Sequence, residues 1–90
     1  MTRYIALMKF TKKPTREMIK QNLELMEKDR RNEGVNVVEI YWTLGRYDAV
    51  VVLDAPNEKA VMKGAISRSE WSSQETLVAI PAEEARKLVE

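Results

Sequence analysis

Apolar and polar positions follow two periods along this chain, one of two residues and one of three to four. The shorter period, in segments rich in β-branched and aromatic residues, predicts four strands. The predicted strands are residues 3–10, 36–43, 47–54 and 73–80. The longer period predicts one helix after Thr15 that ends at Gly34, and a second helix after Asn57. Pro81 opens a short final helix that runs through Leu88.

Each main helix has an apolar side that is predicted to face the sheet. These inner positions are Met18, Ile19, Leu23, Met26 and Arg30 in the first helix, and Val61, Met62, Ala65 and Ile66 in the second. The order of strand, helix, strand, strand, helix, strand is typical of the ferredoxin-like fold in the α+β class. That fold is a four-stranded antiparallel sheet with both main helices on one face. No repeat, linker or low-complexity segment interrupts the pattern, so residues 1–90 are predicted to form one domain.

The second and third strands are joined by a tight loop around Gly45. A glycine at this position is typical of a type II′ turn, and the two-residue connection sets the register of the strands. The register pairs Leu44 with Tyr47, Thr43 with Asp48, Trp42 with Ala49 and Tyr41 with Val50. Because side chains alternate between faces, the register separates two sets. One set is Val38, Ile40, Trp42, Ala49, Val51 and Leu53, and the other is Glu39, Tyr41, Thr43, Asp48, Val50 and Val52.

The two faces have different compositions, and the difference predicts a partner. The first set is wholly apolar, so it is predicted to lie under the helices. The second set has no helix to cover it. A sheet face that is exposed to water is normally polar, yet about half of this set is apolar. A second copy that packs sheet against sheet would cover it and would enclose the polar side chains. The enclosed side chains of Glu39, Tyr41, Thr43 and Asp48 then line a candidate ligand pocket.

The composition restricts the chemistry that the chain supports. Its 90 residues include no cysteine and no histidine. Disulfides and zinc, iron–sulfur and histidine-ligated haem sites are therefore excluded by the supply of ligands. No run of closely spaced acids indicates magnesium or calcium, so we expect no metal site and no cofactor. A chain of this length buries only about 60–65% of the surface exposed on unfolding, which favours association with another copy.

Charge is distributed unevenly between the two ends of the chain. Residues 1–33 carry nine Lys and Arg against five Asp and Glu, whereas residues 34–90 carry six against nine. The basic part either attracts an anionic partner or forms a solvated helix face, and the alternation of Lys20, Glu24 and Lys28 favours the solvated face. Nucleic-acid binding is disfavoured because the third strand, YDAVVVLD, has acids near both ends. No segment predicts a membrane span or a signal peptide, so a cytoplasmic protein is expected.

Three stretches of the chain form a recognisable pattern: YIALMKFT near the start, EIYWTLGRYDAVVVLDAP in the middle and ETLVAIPAEEARKLV near the end. With these stretches the chain resembles the GYD domain proteins, whose Gly-x-Tyr-Asp signature corresponds to Gly45, Tyr47 and Asp48. The resemblance implies a ferredoxin-like protomer of the dimeric α+β barrel type. It implies little chemistry, because the family is largely uncharacterised.

The residues around the loop each have a structural and a functional interpretation. Arg46 is either solvated or holds an anionic ligand, and Tyr47 either packs at the sheet edge or orients a ligand through its hydroxyl. Asp48 is unusual because aspartate is disfavoured before an apolar strand. It either accepts a hydrogen bond from the Thr43 hydroxyl or a nearby backbone N–H, or acts as a general acid or base with Glu39 and Tyr41. Trp42 is predicted under the helices and Trp71 at an edge or interface.

Three functions are consistent with these patterns. The first is a homo-oligomer, most simply a dimer, whose paired sheets bind a small, mainly apolar molecule. The second is a cofactor-free enzyme, such as an isomerase or monooxygenase, in which Asp48 moves a proton. The third is a structural subunit without a ligand. Whether the protein is an enzyme therefore stays open at the level of the sequence.

Overall fold

The sequence folds into the element order that its periodicity predicts. A computed structural model describes residues 1–90. The elements are β1 (Thr2–Phe10), α1 (Arg16–Glu33), β2 (Asn36–Trp42), β3 (Ala49–Ala55), α2 (Glu58–Ser67), β4 (Ser72–Ala79) and α3 (Ala82–Arg86), followed by a 3₁₀ turn (Lys87–Val89). The βαββαβ order with a short final helix is confirmed. None of the helices combines the length and the apolar character that a membrane span requires.

The four strands form one antiparallel sheet in the order β2-β3-β1-β4. This order is that of the ferredoxin-like fold, so the predicted α+β class is confirmed. β1 lies in the middle of the sheet, where Ile5 is paired with Val52 on one side and Leu77 on the other. β2 and β4 are the two edge strands.

Side-chain and glycine caps fix the ends of the main helices. The Thr15 hydroxyl accepts the backbone N–H of Met18 at 3.1 Å, and the Asn57 side chain accepts that of Ala60 at 3.1 Å. Both residues satisfy N–H groups that the first turn of a helix leaves unpaired. Gly34 ends α1 with a φ of +70°, a conformation that favours glycine. All three predicted caps are confirmed.

The predicted register of β2 and β3 is confirmed near the loop, but the predicted two-residue turn is wrong. Trp42 is paired with Ala49, as expected. Beyond that pair, the N–H of Thr43 donates to the carbonyl of Asp48 at 2.9 Å, and no backbone hydrogen bond joins Leu44 to Tyr47. The loop therefore runs from Leu44 to Tyr47, which is longer than the two residues of a II′ turn. The glycine conformation remains, since Gly45 has a φ of +103°.

A bulge in β2 changes which residue enters the core. Glu39 is opposite Val52, but Val37 is opposite Leu53, so Val38 is an extra residue in β2. The prediction that Val38 lies under the helices is therefore wrong. Its side chain is 44% exposed, and the half-buried Val37 takes its place.

The core lies between the sheet and the two helices in two clusters, which are Tyr4, Ala6, Val35, Leu53, Ala55 and Ala60, and Met8, Met18, Ala49 and Trp71. Trp71 is only 8% exposed, so its predicted place at an edge or interface is wrong. Trp42 lies on the helix side as predicted, against Phe10 with ring centroids 5.3 Å apart, but it is 59% exposed.

The apolar pattern predicts only part of the helix surface that faces the sheet. Met18, Met26, Val61 and Ala65 lie on the inner side as predicted. Met18 is buried, but Leu23 is 59% exposed and Arg30 forms an exposed ion pair with Glu27. In α2, Met62 and Ile66 are 62% and 66% exposed. The inner side of α1 instead includes two polar residues, Asn22 and Asp29, which line a cavity with Gly64, Ala65 and Arg68. The hydrogen bonds of Arg68 to Asn22 and Asp29 turn this side of α1 inward, so α1 is rotated from its predicted orientation.

Candidate functional site

The sheet face that no helix covers has an apolar strip. Strand periodicity and register place Ile5 and Leu7 of β1 beside Val52 and Val50 of β3, and Leu77 of β4 beside Ile5. The first four side chains are half-buried, and Leu77 is 44% exposed. The strip confirms that the face opposite the helices is not simply polar.

A hydrogen-bonded pair of side chains flanks the strip at the β2 edge. Glu39 and Tyr41 are two residues apart, so both project from the same face. The Tyr41 hydroxyl donates to the Glu39 carboxylate. Both side chains are exposed, with Tyr41 at 53%.

A second pair flanks the strip on the β4 side. The Tyr47 hydroxyl donates to the Glu75 carboxylate at 2.5 Å. This bond raises the pKa of the Tyr47 phenol, burial and the charge of Glu75 raise it further, and the charge of Arg46 opposes the shift. Glu75 is absent from the residues predicted from the sequence. The sequence indicates only that Glu75 shares a strand face with Leu77, because the two residues are two positions apart. The register that places Glu75 beside Leu7 is visible only in the structure.

One member of each pair, Tyr41 and Glu75, belongs to the same transverse row of the sheet. In that row Tyr41 is paired with Val50, Val50 with Leu7, and Leu7 with Glu75. Two apolar side chains therefore separate two polar groups. This row defines the candidate site, an apolar floor with hydrogen-bonding groups at both ends.

Thr43 and Asp48 hold the loop rather than project over the strip. An Asp48 carboxylate oxygen accepts the N–H of Phe10 at 2.7 Å, while the Asp48 N–H donates to the carbonyl of Met8 at 2.8 Å. The Thr43 hydroxyl donates to the carbonyl of Tyr47 at 2.7 Å. Of the two predicted bonds, Asp48 thus makes the one to a backbone N–H and not the one to the Thr43 hydroxyl.

Arg46 lies at the exposed tip of the loop, with its guanidinium carbon 5.7 Å from the centroid of the Tyr47 ring. The ammonium of Lys9 donates to the carbonyl of Arg46 at 3.4 Å. The six candidate residues therefore form two separate groups, Glu39 with Tyr41, and Thr43, Arg46, Tyr47 and Asp48. No cluster of three or more acidic side chains is arranged to hold a metal ion.

Comparison with known proteins identifies the family. The model of the GYD domain matches residues 4–89, which is nearly the whole chain. The chain belongs to the GYD domain family. In this GYD domain the signature glycine has a positive φ, the tyrosine binds Glu75 and the aspartate binds the backbone of Phe10.

A solved structure supports the fold of this GYD domain. The crystal structure of TTHA0845 from Thermus thermophilus is similar, with a TM-score of 0.52 and 21% sequence identity, over 89% of this chain and 94% of that one. Among curated proteins, none is significantly similar to the chain in sequence.

The helix side of this GYD domain has a buried ionic cluster that the apolar pattern did not indicate. Arg68 is 8% exposed and donates to the side chains of Asn22 at 2.8 Å and Asp29 at 3.0 Å, and to the carbonyl of Gly64 at 2.8 Å. A Cβ at position 64 would lie 3.2 Å from an Arg68 nitrogen, so glycine leaves room for the guanidinium. The contacts join α1 to α2 beside a cavity of about 70 Å³.

Two further features complete the surface. A groove of about 150 Å³ lies between α1 and the sheet, and 11 of its 12 lining residues are hydrophobic. At the far end of the helix-free face, Arg3 and Asp54 form an ion pair at 2.9 Å. The hydrogen bond from Arg3 lowers the pKa of the Asp54 carboxyl below its usual value.

Proposed function

We propose that the protein is a homo-oligomer in which the helix-free sheet faces of two copies enclose a site for a small, mainly apolar molecule. One observation carries this proposal. The row from Tyr41 to Glu75 combines an apolar floor with polar groups at its ends, on a face without a covering element. Small-molecule sites have this composition, with mostly apolar walls and a few polar groups that orient the ligand.

The apolar strip favours a second copy as the cover. Its side chains, Ile5, Leu7, Val50, Val52 and Leu77, are adjacent and belong to three neighbouring strands. Burying such a surface is favourable in proportion to the apolar area removed from water. Two identical sheets meet this need by aligned packing about a two-fold axis.

The polar pairs suggest how a ligand is held. Tyr41 and Tyr47 already use their hydroxyl protons in bonds to Glu39 and Glu75. The free lone pairs of these groups therefore accept hydrogen bonds from a ligand whose apolar body rests on Leu7 and Val50. A proton-transfer role for Asp48 and a cytoplasmic location stay predictions from the sequence.

Light scattering coupled to size exclusion tests the assembly. We expect a dimer or larger oligomer at micromolar concentration, and a monomer with unchanged circular dichroism for Leu77→Asp. Met62→Asp is the matched control, because Met62 is 62% exposed on α2, away from this face. A folded wild-type monomer at these concentrations would contradict the proposal.

Thermal shift with indole and benzyl alcohol tests the pocket, because a ligand that binds the native state stabilises it by mass action. We expect stabilisation of the wild type and a weaker effect in Glu75→Gln. An oligomer that neither probe stabilises would favour the structural subunit. The enzyme alternative would be supported by catalytic turnover in the wild type that Asp48→Asn abolishes, while indole and benzyl alcohol still bind to the variant.

A further inference from the structure

We propose that residues 80–90 of one copy, here called the arm, lie in the groove between α1 and the sheet of a second copy. This inference rests on the proposed function, because it assumes the same dimer. It adds the segment that clasps the two copies together. The occupant of the groove is thus a defined part of this chain.

The arm has an apolar surface without a place to pack in its own protomer. Ile80, Leu88 and Val89 are 57%, 75% and 87% exposed. α3 has only five residues and no side-chain cap at Pro81. Helices this short are marginal in water and depend on tertiary packing. The ion pairs of Arg86 with Glu83 and Glu90 are exposed, so they replace little of that packing.

The groove offers a matching surface. It lies beneath α1. Four of its large side chains are open to solvent, Ile19 at 41%, Leu23 at 59%, Ile40 at 40% and Trp42 at 59%. Monomeric proteins rarely expose contiguous apolar patches of this kind without a partner. The groove and the arm therefore present two apolar surfaces that one contact would bury.

Distance argues against closure within one chain. The arm leaves the β4 edge at Ala79, which is paired with Arg3, whereas Trp42 lies on the β2 edge in the row of Met8. Three strand spacings and five residues along the strands separate these points by about 22 Å. Residues 80–88, with the helix and turn, span about 19 Å, and the direct path is blocked by the domain itself.

A paired-sheet dimer shortens the distance from the arm to the groove. When the two-fold axis runs parallel to the strands, β4 of one copy lies over β2 of the other, so one sheet spacing of about 10 Å replaces the three strand spacings. The offset of five residues along the strands remains, so Ala79 of one copy lies about 19 Å from Trp42 of the other, which residues 80–88 can span. The arm follows directly from β4, whose Leu77 belongs to the proposed interface. The arm would add the buried area of three large apolar side chains, Ile80, Leu88 and Val89, to that of the sheet face.

Charges that have no partner within one protomer complement each other across this contact. Arg16 and Lys20 flank the exposed groove residues of α1, and neither has a carboxylate within ion-pair distance. Glu84 of the arm likewise has no cation. Opposite charges at an interface favour the correct register and orientation.

Cross-linking tests the contact directly, because the chain has no cysteine. Leu23→Cys and Leu88→Cys are made separately, mixed to allow exchange of subunits, and treated with a short bismaleimide. We expect a cross-linked dimer in the mixture. A mixture of Met62→Cys with Leu88→Cys is the matched control and should stay uncross-linked. We also expect Leu88→Asp to weaken the dimer by about tenfold and Met62→Asp to leave it unchanged.

The outcomes separate the inference from the proposed function. Cross-links between chains, with a weaker Leu88→Asp dimer, support the arm contact. A stable dimer without that cross-link, and without an effect of Leu88→Asp, overturns the arm contact and leaves the paired sheets in place. A cross-link within one chain, seen when Leu23→Cys and Leu88→Cys are combined in the same chain, also overturns it. A wild-type monomer overturns both proposals.

Discussion

The carboxylate of Asp48 accepts the backbone N–H of Phe10 at 2.7 Å, which ties the β2–β3 loop to the end of β1. Regular pairing between β1 and β3 ends at Met8 and Ala49, so Phe10 has no main-chain acceptor from β3. The side chain of Asp48 takes the place of that acceptor. An aspartate before an apolar strand is therefore explained by the need to end the ladder without an unpaired N–H.

Replacing Asp48 tests this explanation. Asp48→Ala should lower the free energy of unfolding by about 1–3 kcal/mol, because the Phe10 N–H loses a charged acceptor. Asp48→Asn should cost less, since an amide oxygen still accepts the bond. Urea denaturation measures both. Equal stability of Asp48→Ala and the wild type would refute the structural role.

The bond between Tyr47 and Glu75 predicts a pH dependence at the alkaline end. The folded protein raises the pKa of Tyr47 above its ordinary value of 10.0, so folding favours the protonated phenol. The stabilisation should be complete below that value and be lost as the pH rises through the raised pKa. Stability curves and tyrosinate absorbance for the wild type and Tyr47→Phe measure this. Compared with the wild type, Tyr47→Phe should lack the tyrosine titration at the raised pKa. If the missing titration is instead the one at the ordinary pKa, the bond to Glu75 is contradicted.

Most of the fold could be predicted from local sequence patterns. Caps such as Thr15, Gly34 and Asn57 bind backbone groups a few residues away, so they can be predicted from the sequence. The alternation in β2 and β3 likewise predicted the pairing of Trp42 with Ala49. The candidate row was predictable in detail only on its β2 side, because a short loop sets the register of β2 and β3 whereas no turn joins β4 to β1.

Features that depend on contacts between distant parts of the chain could not be predicted from the sequence. Leu23 and Leu88 follow a helical period as core residues do, yet both are exposed. Asn22 and Asp29 are polar, yet they face Arg68, a residue distant in the chain. Apolar periodicity cannot identify such a rotation, because the energy comes from a specific ionic contact and not from hydrophobic area.

The bulge in β2 makes a prediction that separates the expected from the observed register. Val37→Asp should destabilise strongly, by about 2 kcal/mol or more, because it buries a charge against Leu53. Val38→Asp should be tolerated, because Val38 is 44% exposed. Chemical denaturation compares the pair. A larger loss for Val38→Asp than for Val37→Asp would mean that β2 pairs without a bulge.

The Arg68–Asp29 contact predicts strong energetic coupling between α1 and α2. The side chains of these residues are only 10% and 16% exposed, and their ion pair measures 3.0 Å. Arg68→Ala leaves Asp29 as a nearly buried charge without a partner, which should cost about 3–5 kcal/mol. Removing both partners should cost less than the sum of the single changes, because no charge is then left unpaired.

A second ion pair between the same helices is the control for the double-mutant cycle of Arg68 and Asp29. Lys63 of α2 binds Glu33 of α1 at 2.5 Å, but the side chain of Lys63 is 65% exposed. Water screens such a pair, so its double-mutant cycle should show little coupling. Urea denaturation of both cycles gives the comparison, and the double Ala variant keeps the test informative if Arg68→Ala does not fold. Equal coupling in the two cycles would show that burial of Arg68 adds nothing to the contact between the helices.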